Sequence, residues 1–459
     1  MAHTRRGFLA TAAAGGALAL GARRTNAQAG GEVVLAGAHV VTMDPGLGDL
    51  ATGDVHIRDG AIAAVAASIA APGVPRRDMR GRVVMPGFVD THWHMWNTIA
   101  RGLPSSRLGP FAKTMGALAK VWTPQASALS VRLALAEAVN SGITTAQNWA
   151  HNTATPDFAE AELAAQRASG VRGRFAYGYP QALSPDTTID VAALKRFAER
   201  HGGAGGLVLL GMCARGPDRS ADDVWRGEWR AARELKLPIT AHVASNRASA
   251  AEGAIAVMHR DGLLGPDVQI VHATHARPED FALMKEAGSP LSISPWTELE
   301  VGYGLPAIPA MAASGVEMGL SVDNMVLAGR ADMFDVMRLT ADLAAGMAEK
   351  QSALPDRRVL EWATIGGARG LGLGDAVGSL KPGKRADVIA VRADGLTTSP
   401  AGTVDFLLTH AAQPADVDFV MIDGVVHKEG GRLTRVDVEA LVAEAAATIA
   451  RLTEQAGVR

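Results

Sequence analysis

From Pro86 to about Leu373 the chain alternates short apolar runs with helical stretches, and this alternation limits the folds open to it more than any other feature. The runs Gly142-Ile143-Thr144-Thr145-Ala146, Pro238-Ile239-Thr240-Ala241-His242, Val268-Gln269-Ile270-Val271-His272 and Met318-Gly319-Leu320-Ser321-Val322-Asp323 are brief and largely apolar. Strands buried on both faces read this way, as in parallel sheets covered by helices. Helical segments lie between them, among them Ala126 to Ser141, Asp223 to Leu235 and Ala331 to Lys350. Repeated strand–helix units predict an α/β fold, a distorted (β/α)8 TIM-type barrel over residues 85–373.

The two ends of the chain read differently. Residues 30–84 hold short strands at Val33 to Ala36, Val40 to Met43 and Asp54 to Ile57, with another at Ala61 to Val65 after the Asp59-Gly60 turn. Short strands return over 374–432, at Val388 to Val391, Phe419 to Ile422 and Val425 to His427. Neither set is large enough to bury a core alone. The two are expected to pair into one small β-sandwich built from both chain ends, with the barrel inserted between them. A closing amphipathic helix is expected within 433–459, from about Val436 to Leu452.

The segment Thr4-Arg5-Arg6-Gly7-Phe8-Leu9-Ala10 precedes an apolar stretch too short to span a bilayer. This is the pattern of a twin-arginine export signal over residues 1–29. It predicts export by the twin-arginine machinery to the periplasm or beyond, without a membrane anchor. Charge adds an exclusion: 45 Lys+Arg against 47 Asp+Glu give a net charge of -2, so there is no basic field to hold nucleic acid. The single cysteine, Cys213, excludes an internal disulfide and a cysteine-built metal centre. It ends the apolar run Leu207 to Met212 and reads as a buried structural thiol.

A parallel barrel carries its active site at the carboxyl ends of its strands. In Val89-Asp90-Thr91-His92-Trp93-His94 the two histidines are two residues apart, a spacing that puts side chains on one face of a strand. Neutral imidazole is a good ligand for zinc-like ions, so this pair reads as half of a metal site. His242, His272 and Asp323 end three further apolar runs. Any one of them would be unremarked; four histidines and an aspartate ending strands of one array point to a single centre. Trp93, Trp96, Trp149, His151 and Trp296 lie beside strand ends and are candidates to line a flat, apolar pocket.

These residues resemble the amidohydrolase superfamily of metal-dependent hydrolases, in its cytosine deaminase and triazine hydrolase branch. The resemblance rests on Pro86-Gly87-Phe88-Val89-Asp90-Thr91-His92-Trp93-His94, on Gly142-Ile143-Thr144-Thr145, on His242 and His272, and on Ser321-Val322-Asp323-Asn324. The tail Gly378-Ser379-Leu380-Lys381-Pro382-Gly383-Lys384-Arg385-Ala386-Asp387 is equally characteristic. It implies one divalent metal held by His92, His94, His242 and Asp323: zinc in the first place, with iron or manganese accepting the same ligands. It also implies attack by a metal-bound hydroxide, Asp323 as proton acceptor and His272 as the group that polarises the bond under attack. Oligomeric state stays open, homo-oligomers being common in the family.

Two departures narrow the expected reaction. Deaminases of this branch carry a glutamate three residues after the third histidine ligand, where this chain has Ser245. A serine is no proton donor matched to neutral pH. The segment Leu207 to Met212 has no lysine to bridge a second metal, so one ion is expected. Glu298, in Ser294-Pro295-Trp296-Thr297-Glu298, is a candidate substitute acid or substrate ligand, and His275 a further substrate contact or a supporting residue. The expected activity is hydrolysis of a non-peptide C–N bond in a small molecule, of amide, cyclic amide, urea or carbamate type. The alternatives are deamination of a heterocycle and a non-catalytic binding barrel.

Overall fold

The computed structural model describes residues 31–105, 107–202 and 206–458; the export signal expected over 1–29 lies outside the described residues. The head of the chain forms β1 (Val33–Val40), β2 (Leu50–Arg58), β3 (Ala61–Ala66), β4 (Arg76–Asp78) and β5 (Arg82–Pro86). The middle forms β6 (Phe88–Trp93), β7 (Ile143–Ala150), β8 (Arg172–Tyr177), β9 (Val208–Cys213), β10 (Ile239–Val243), β11 (Val268–His272), β12 (Leu291–Ile293) and β13 (Met318–Leu320). The tail adds β14 (Val388–Arg392), β15 (Val417–Ile422), β16 (Val425–Glu429) and β17 (Arg432–Leu433).

Strands β6 to β13 pair in chain order, every neighbour parallel, with helices in the connections. This is the (β/α)8 barrel read from the alternation. The helix Pro124–Ser141 shows how local sequence sets its limits. Thr123 accepts a hydrogen bond from the Ala126 amide, Pro124 takes the first turn, and Gly142 at φ +89° ends the helix in the left-handed region. The seam between β13 and β6 is closed by residues beyond regular strand pairing. The Asp323 amide donates to the His92 carbonyl at 3.0 Å, and the His94 amide donates to the Asp323 carbonyl at 2.7 Å. Gly319 permits the approach, since a Cβ there would lie 2.4 Å from the Thr91 side chain.

The two chain ends form one nine-stranded sheet in the order β17-β16-β15-β14-β5-β1-β2-β3, with β4 beside β1. Head meets tail where β5 runs antiparallel to β14, Pro86 opposite Val388. Period-two alternation gives this junction two working faces. Val83, Met85, Ile389 and Val391 join the barrel core, whereas Val84, Val388 and Ala390 pack with Leu35, Val55, Phe419 and Met421 in a separate core. The head differs from expectation in its strand bounds: the run read at Val33 to Ala36 continues without a break to Val40 as β1, and Val41 to Met43, read as part of a second strand, lie outside regular strand. Gly37, at φ +78°, takes up an irregularity where the register with β2 shifts between Leu35 and Ala38. The closing helix runs Val438–Gln455, capped by Asp437. Among the described residues no helix is long and apolar enough to cross a membrane.

Polar groups tie the layers together. Arg172 on β8 donates to Asp387 at 2.8 and 3.1 Å and to Asp423 at 2.7 Å, joining the barrel to the tail strands. Cys213 is buried and donates to the Ala176 carbonyl at 3.1 Å, and burial pushes its thiol well up, as suits a structural residue. Glu162, fully buried on the helix Pro156–Ser169, accepts from the Asn148 amide at 3.2 Å. Burial pushes its carboxyl up to about 8, against the opposing hydrogen bonds of Asn148 and Ser127. Above its unfolded value near 4.5 the unfolded chain releases this proton while the folded one retains it. Stability is therefore lost as pH rises from about 4.5 to about 8, and no further beyond. Glu162→Gln is expected to be more stable than the parent, by a margin that widens through that window at up to roughly 1.4 kcal/mol per pH unit. Urea midpoints measured from pH 5 to 9 would show a margin independent of pH if this account were wrong.

Candidate active site

The histidines and the aspartate that end the barrel strands converge. His92 Nε2 lies 3.1 Å from His242 Nε2 and 3.3 Å from Asp323 Oδ1, and His94 Nε2 lies 3.5 Å from the same oxygen. His272 Nε2 is 3.9 Å from Asp323 Oδ2, and its ring stacks on His242 with centroids 5.1 Å apart. Two overlapping sets, His92–His242–His272 and His92–His94–Asp323, each bring one ligand-type atom per residue within 4.8 Å of the others. All five side chains are buried.

Burial holds the imidazoles of His94 and His242 well below their ordinary range and lowers that of His92, against the pull of Asp323. They are held in the uncharged form that binds metals. Four imidazoles around one carboxylate, withdrawn from water and pointing nitrogens at each other, fit a divalent cation by their chemistry. Both sets share His92, so they describe one centre rather than two. Behind it, the Trp149 ring stacks on His242 at 4.0 Å between centroids, with the planes 20° apart.

The backbone at this rim is unusual. His272, Ala273 and Asp323 lie at φ +71°, +47° and +59°, a region that side chains with a Cβ seldom occupy. Hydrogen bonds hold them there: the Ala273 amide donates to the Val243 carbonyl at 3.1 Å, and Asp323 is fixed by the seam. Strain of this kind is stored where geometry matters for function.

A cavity of about 190 Å³ opens on the centre, walled by His94, His242, His272 and Asp323 together with Trp96 and His151. Trp96 and His151 thus stand where sequence expected them. Five other candidates do not: Trp93 and Trp149 are buried in the barrel core and reach no wall of the cavity, and Glu298, Trp296 and His275 also lie outside it. Glu298 is fully buried behind His272, accepting from the ring Nδ1 at 3.1 Å and from the Ser294 amide at 2.9 Å, and it does not line the cavity. Trp296 instead walls a separate groove with Arg330 and Asp332. Both follow from the short helix Pro295–Glu300, which presents the intervening Thr297 to the cavity and turns its neighbours away. His275 meets the Tyr303 carbonyl at 2.6 Å and so shapes the turn that carries Tyr303, rather than touching the cavity itself.

Asn97, Tyr179, Gln181, Arg219 and Tyr303 complete the polar wall and were not singled out from the sequence. Tyr179 and Gln181 follow β8 closely, so the rule that found the histidines could have found them. Arg219 lies six residues beyond β9 in Arg215-Gly216-Pro217-Asp218-Arg219, which carries no pattern that foretells its direction. A larger groove, about 820 Å³, lies between the helix Pro124–Ser141 and Leu433 to Leu441; it shares no wall residue with the centre.

Comparison with known proteins agrees with this architecture. Residues 83–426 match the model of the amidohydrolase family. The chain is 26% identical to a 5'-deoxyadenosine deaminase of Methanosarcina mazei, over 90% of this chain and 96% of that protein. It is 28% identical to a 5-methylthioadenosine/S-adenosylhomocysteine deaminase of Desulforudis audaxviator, over 88% and 95%. An adenosine deaminase from Xanthomonas campestris, solved with bound zinc, superposes with a TM-score of 0.85 at 25% identity, over 92% of this chain and 99% of that one. An atrazine chlorohydrolase from Arthrobacter aurescens, solved with zinc, shares the fold with a TM-score of 0.80 at 20% identity, over 91% and 100%. Over a match that takes in the barrel and part of the flanking sheet, the chain belongs to the amidohydrolase family.

Proposed function

We propose that this protein hydrolyses an amide-type C–N bond, in an open or cyclic amide, urea or carbamate, at the centre formed by His92, His94, His242, His272 and Asp323. The observation that carries the reading is the convergence of four buried imidazoles on one carboxylate at the floor of a small cavity. His92, His94, His242 and Asp323 are the proposed ligands of a divalent ion, zinc being favoured by the zinc-bound neighbours. Such an ion, when bound, acidifies water and polarises an oxygen of the substrate.

The remaining roles belong to the side chains. Asp323 is the one carboxylate lining the cavity among the described residues, and it takes the proton of the attacking water and returns it to the departing nitrogen. His272 faces the bond under attack and stabilises the charge that grows on its oxygen. Glu298 accepts a hydrogen bond from Nδ1 of that ring, fixing its orientation with Nε2 towards Asp323, where Nε2 must carry a proton to donate to the substrate oxygen. Ser245 is buried, with its hydroxyl held by Arg219 at 2.9 Å, and offers no acid for protonating a ring nitrogen. A second reading, release of ammonia or an amine from an aminoheterocycle, is favoured by the names of the deaminase relatives.

One experiment addresses both. Elemental analysis of the purified protein is combined with a screen of anilides, cyclic amides and aminoheterocycles, following acid, amine and ammonia separately. About one equivalent of divalent metal is expected, with amide cleavage that a chelator removes and added metal restores. Ammonia from an aminoheterocycle, without amide cleavage, would transfer the assignment to the second reading. Metal-free protein that is inert before and after metal addition would sink both.

A further inference from the structure

The cavity holds a cation that no acid answers. Arg219 lies on its wall beside His94, His242 and Tyr303. One of its terminal nitrogens donates to the buried Ser245 hydroxyl at 2.9 Å, and the Tyr303 side chain faces the same guanidinium. Its Nε is buried and has no hydrogen-bond partner. No ion pair involves Arg219 among the described residues. The adjacent Asp218 turns Oδ2 to the Ala244 amide at 2.9 Å instead.

The contrast with Arg215, four residues earlier, is instructive. Arg215 is ion-paired to Glu228 and also donates to the carbonyls of Ser184 at 2.9 Å and Thr187 at 2.6 Å. It is a finished structural arginine. A half-buried guanidinium without a matching acid is unfavourable, and it is well suited to binding an oxyanion by paired, charge-assisted hydrogen bonds. Other wall groups are also unfinished: Asn97 Oδ1 and Gln181 Oε1 are buried acceptors without a donor.

We propose that Arg219 determines specificity by binding a carboxylate carried by the substrate close to the scissile C–N bond, and that serine at position 245 is what leaves it free to do so. The proposal rests on the hydrolytic reading above and names its substrate class: amides that bear an acidic group. An acid at position 245 would sit against the guanidinium and neutralise it. The serine hydroxyl accepts one hydrogen bond and leaves the charge and the remaining donors for a ligand. The unfilled acceptors Asn97 and Gln181 suit the N–H groups of such an amide.

The test uses metal-loaded enzyme and a matched pair, N-benzoylglycine and N-benzoylglycinamide, chosen because Trp96, Phe111 and Tyr179 give the cavity aromatic walls. Release of benzoate reports cleavage of the same bond in both. The acid is expected to be preferred in kcat/KM by about 100-fold, within the range lost when one partner of a hydrogen-bonded charge pair is removed. Arg219→Gln and Ser245→Glu are each expected to bring that ratio close to one, chiefly through a raised KM for the acid, and Arg219→Lys to recover part of it. A merely structural arginine would lower both substrates together and keep the ratio, which would overturn the proposal. An acid preference that survives Ser245→Glu would overturn it equally. Should neither compound turn over, calorimetric titration with the same pair decides. Tighter binding of the acid, abolished by Arg219→Gln, supports the proposal even as the missing cleavage counts against amide hydrolysis. Equal binding of the two, or none, refutes it.

Discussion

Asp323→Asn is expected to lower kcat by about 1,000-fold on whatever amide the enzyme cleaves, the scale on which positioned acid–base groups act. Asparagine copies the shape of the aspartate and can still offer an oxygen to a cation, but it cannot take a proton. No other carboxylate lines the cavity among the described residues to take its place. Glu298 is buried behind the His272 ring, and its engaged oxygen accepts from that ring and from the Ser294 amide. Steady-state kinetics and metal content should be measured on the same preparation. Metal retained with turnover lost assigns the defect to proton transfer; turnover within tenfold of the parent would remove Asp323 from the mechanism.

The second large effect concerns stability. Arg172→Met is expected to destabilise the fold by about 3–5 kcal/mol, because it leaves acids buried without their cation. Arg172 and Asp387 are both buried, and the Asp387 carboxylate is further committed to the Asp423 amide at 2.9 Å. Asp423 retains a partner in Arg385 at 2.5 Å, so the loss falls mainly on Asp387. Urea unfolding of the full chain should show this directly. The double variant Arg172→Met with Asp387→Leu should recover much of the loss, since an apolar pair of suitable volume replaces a buried ion pair at little net change. A shift below about 0.5 kcal/mol, the range of ordinary surface substitutions, would show that this contact does not join barrel to tail.

What could be read from the sequence, and what could not, divides along physical lines. The barrel was legible because strands buried on both faces read as short runs rich in apolar and β-branched residues, and β7, β10 and β11 are buried along their whole length. His92, His94, His242, His272 and Asp323 were legible because a polar residue ending such a run has one place to point, the carboxyl-end rim. The flanking sheet was legible as two partial sets of strands. The continuity of β1 was not, since Gly37 looks like a terminator until its irregular pairing with β2 is seen. Glu298 and Trp296 were misjudged because the facing of a two-turn helix depends on its rotation, about 100° per residue, and six residues show no period. Arg219 escaped notice because loop residues obey neither periodicity. Its meaning came from Ser245, which was legible as a departure but not as a partner.

One feature of the barrel reaches beyond the site. The hydrogen bonds that join Asp323 to His92 and His94 are made between the first and last strand regions of the barrel, and the neighbouring bond from the Val322 amide to Asp90 spans 232 residues of chain. The reactive cluster cannot exist in a partly assembled molecule. Every intermediate that lacks the final docking step has its histidines but not the carboxylate between them. Recovery of activity during refolding should therefore trail every local probe of helix or strand formation, and report completion of the longest loop closure in the barrel.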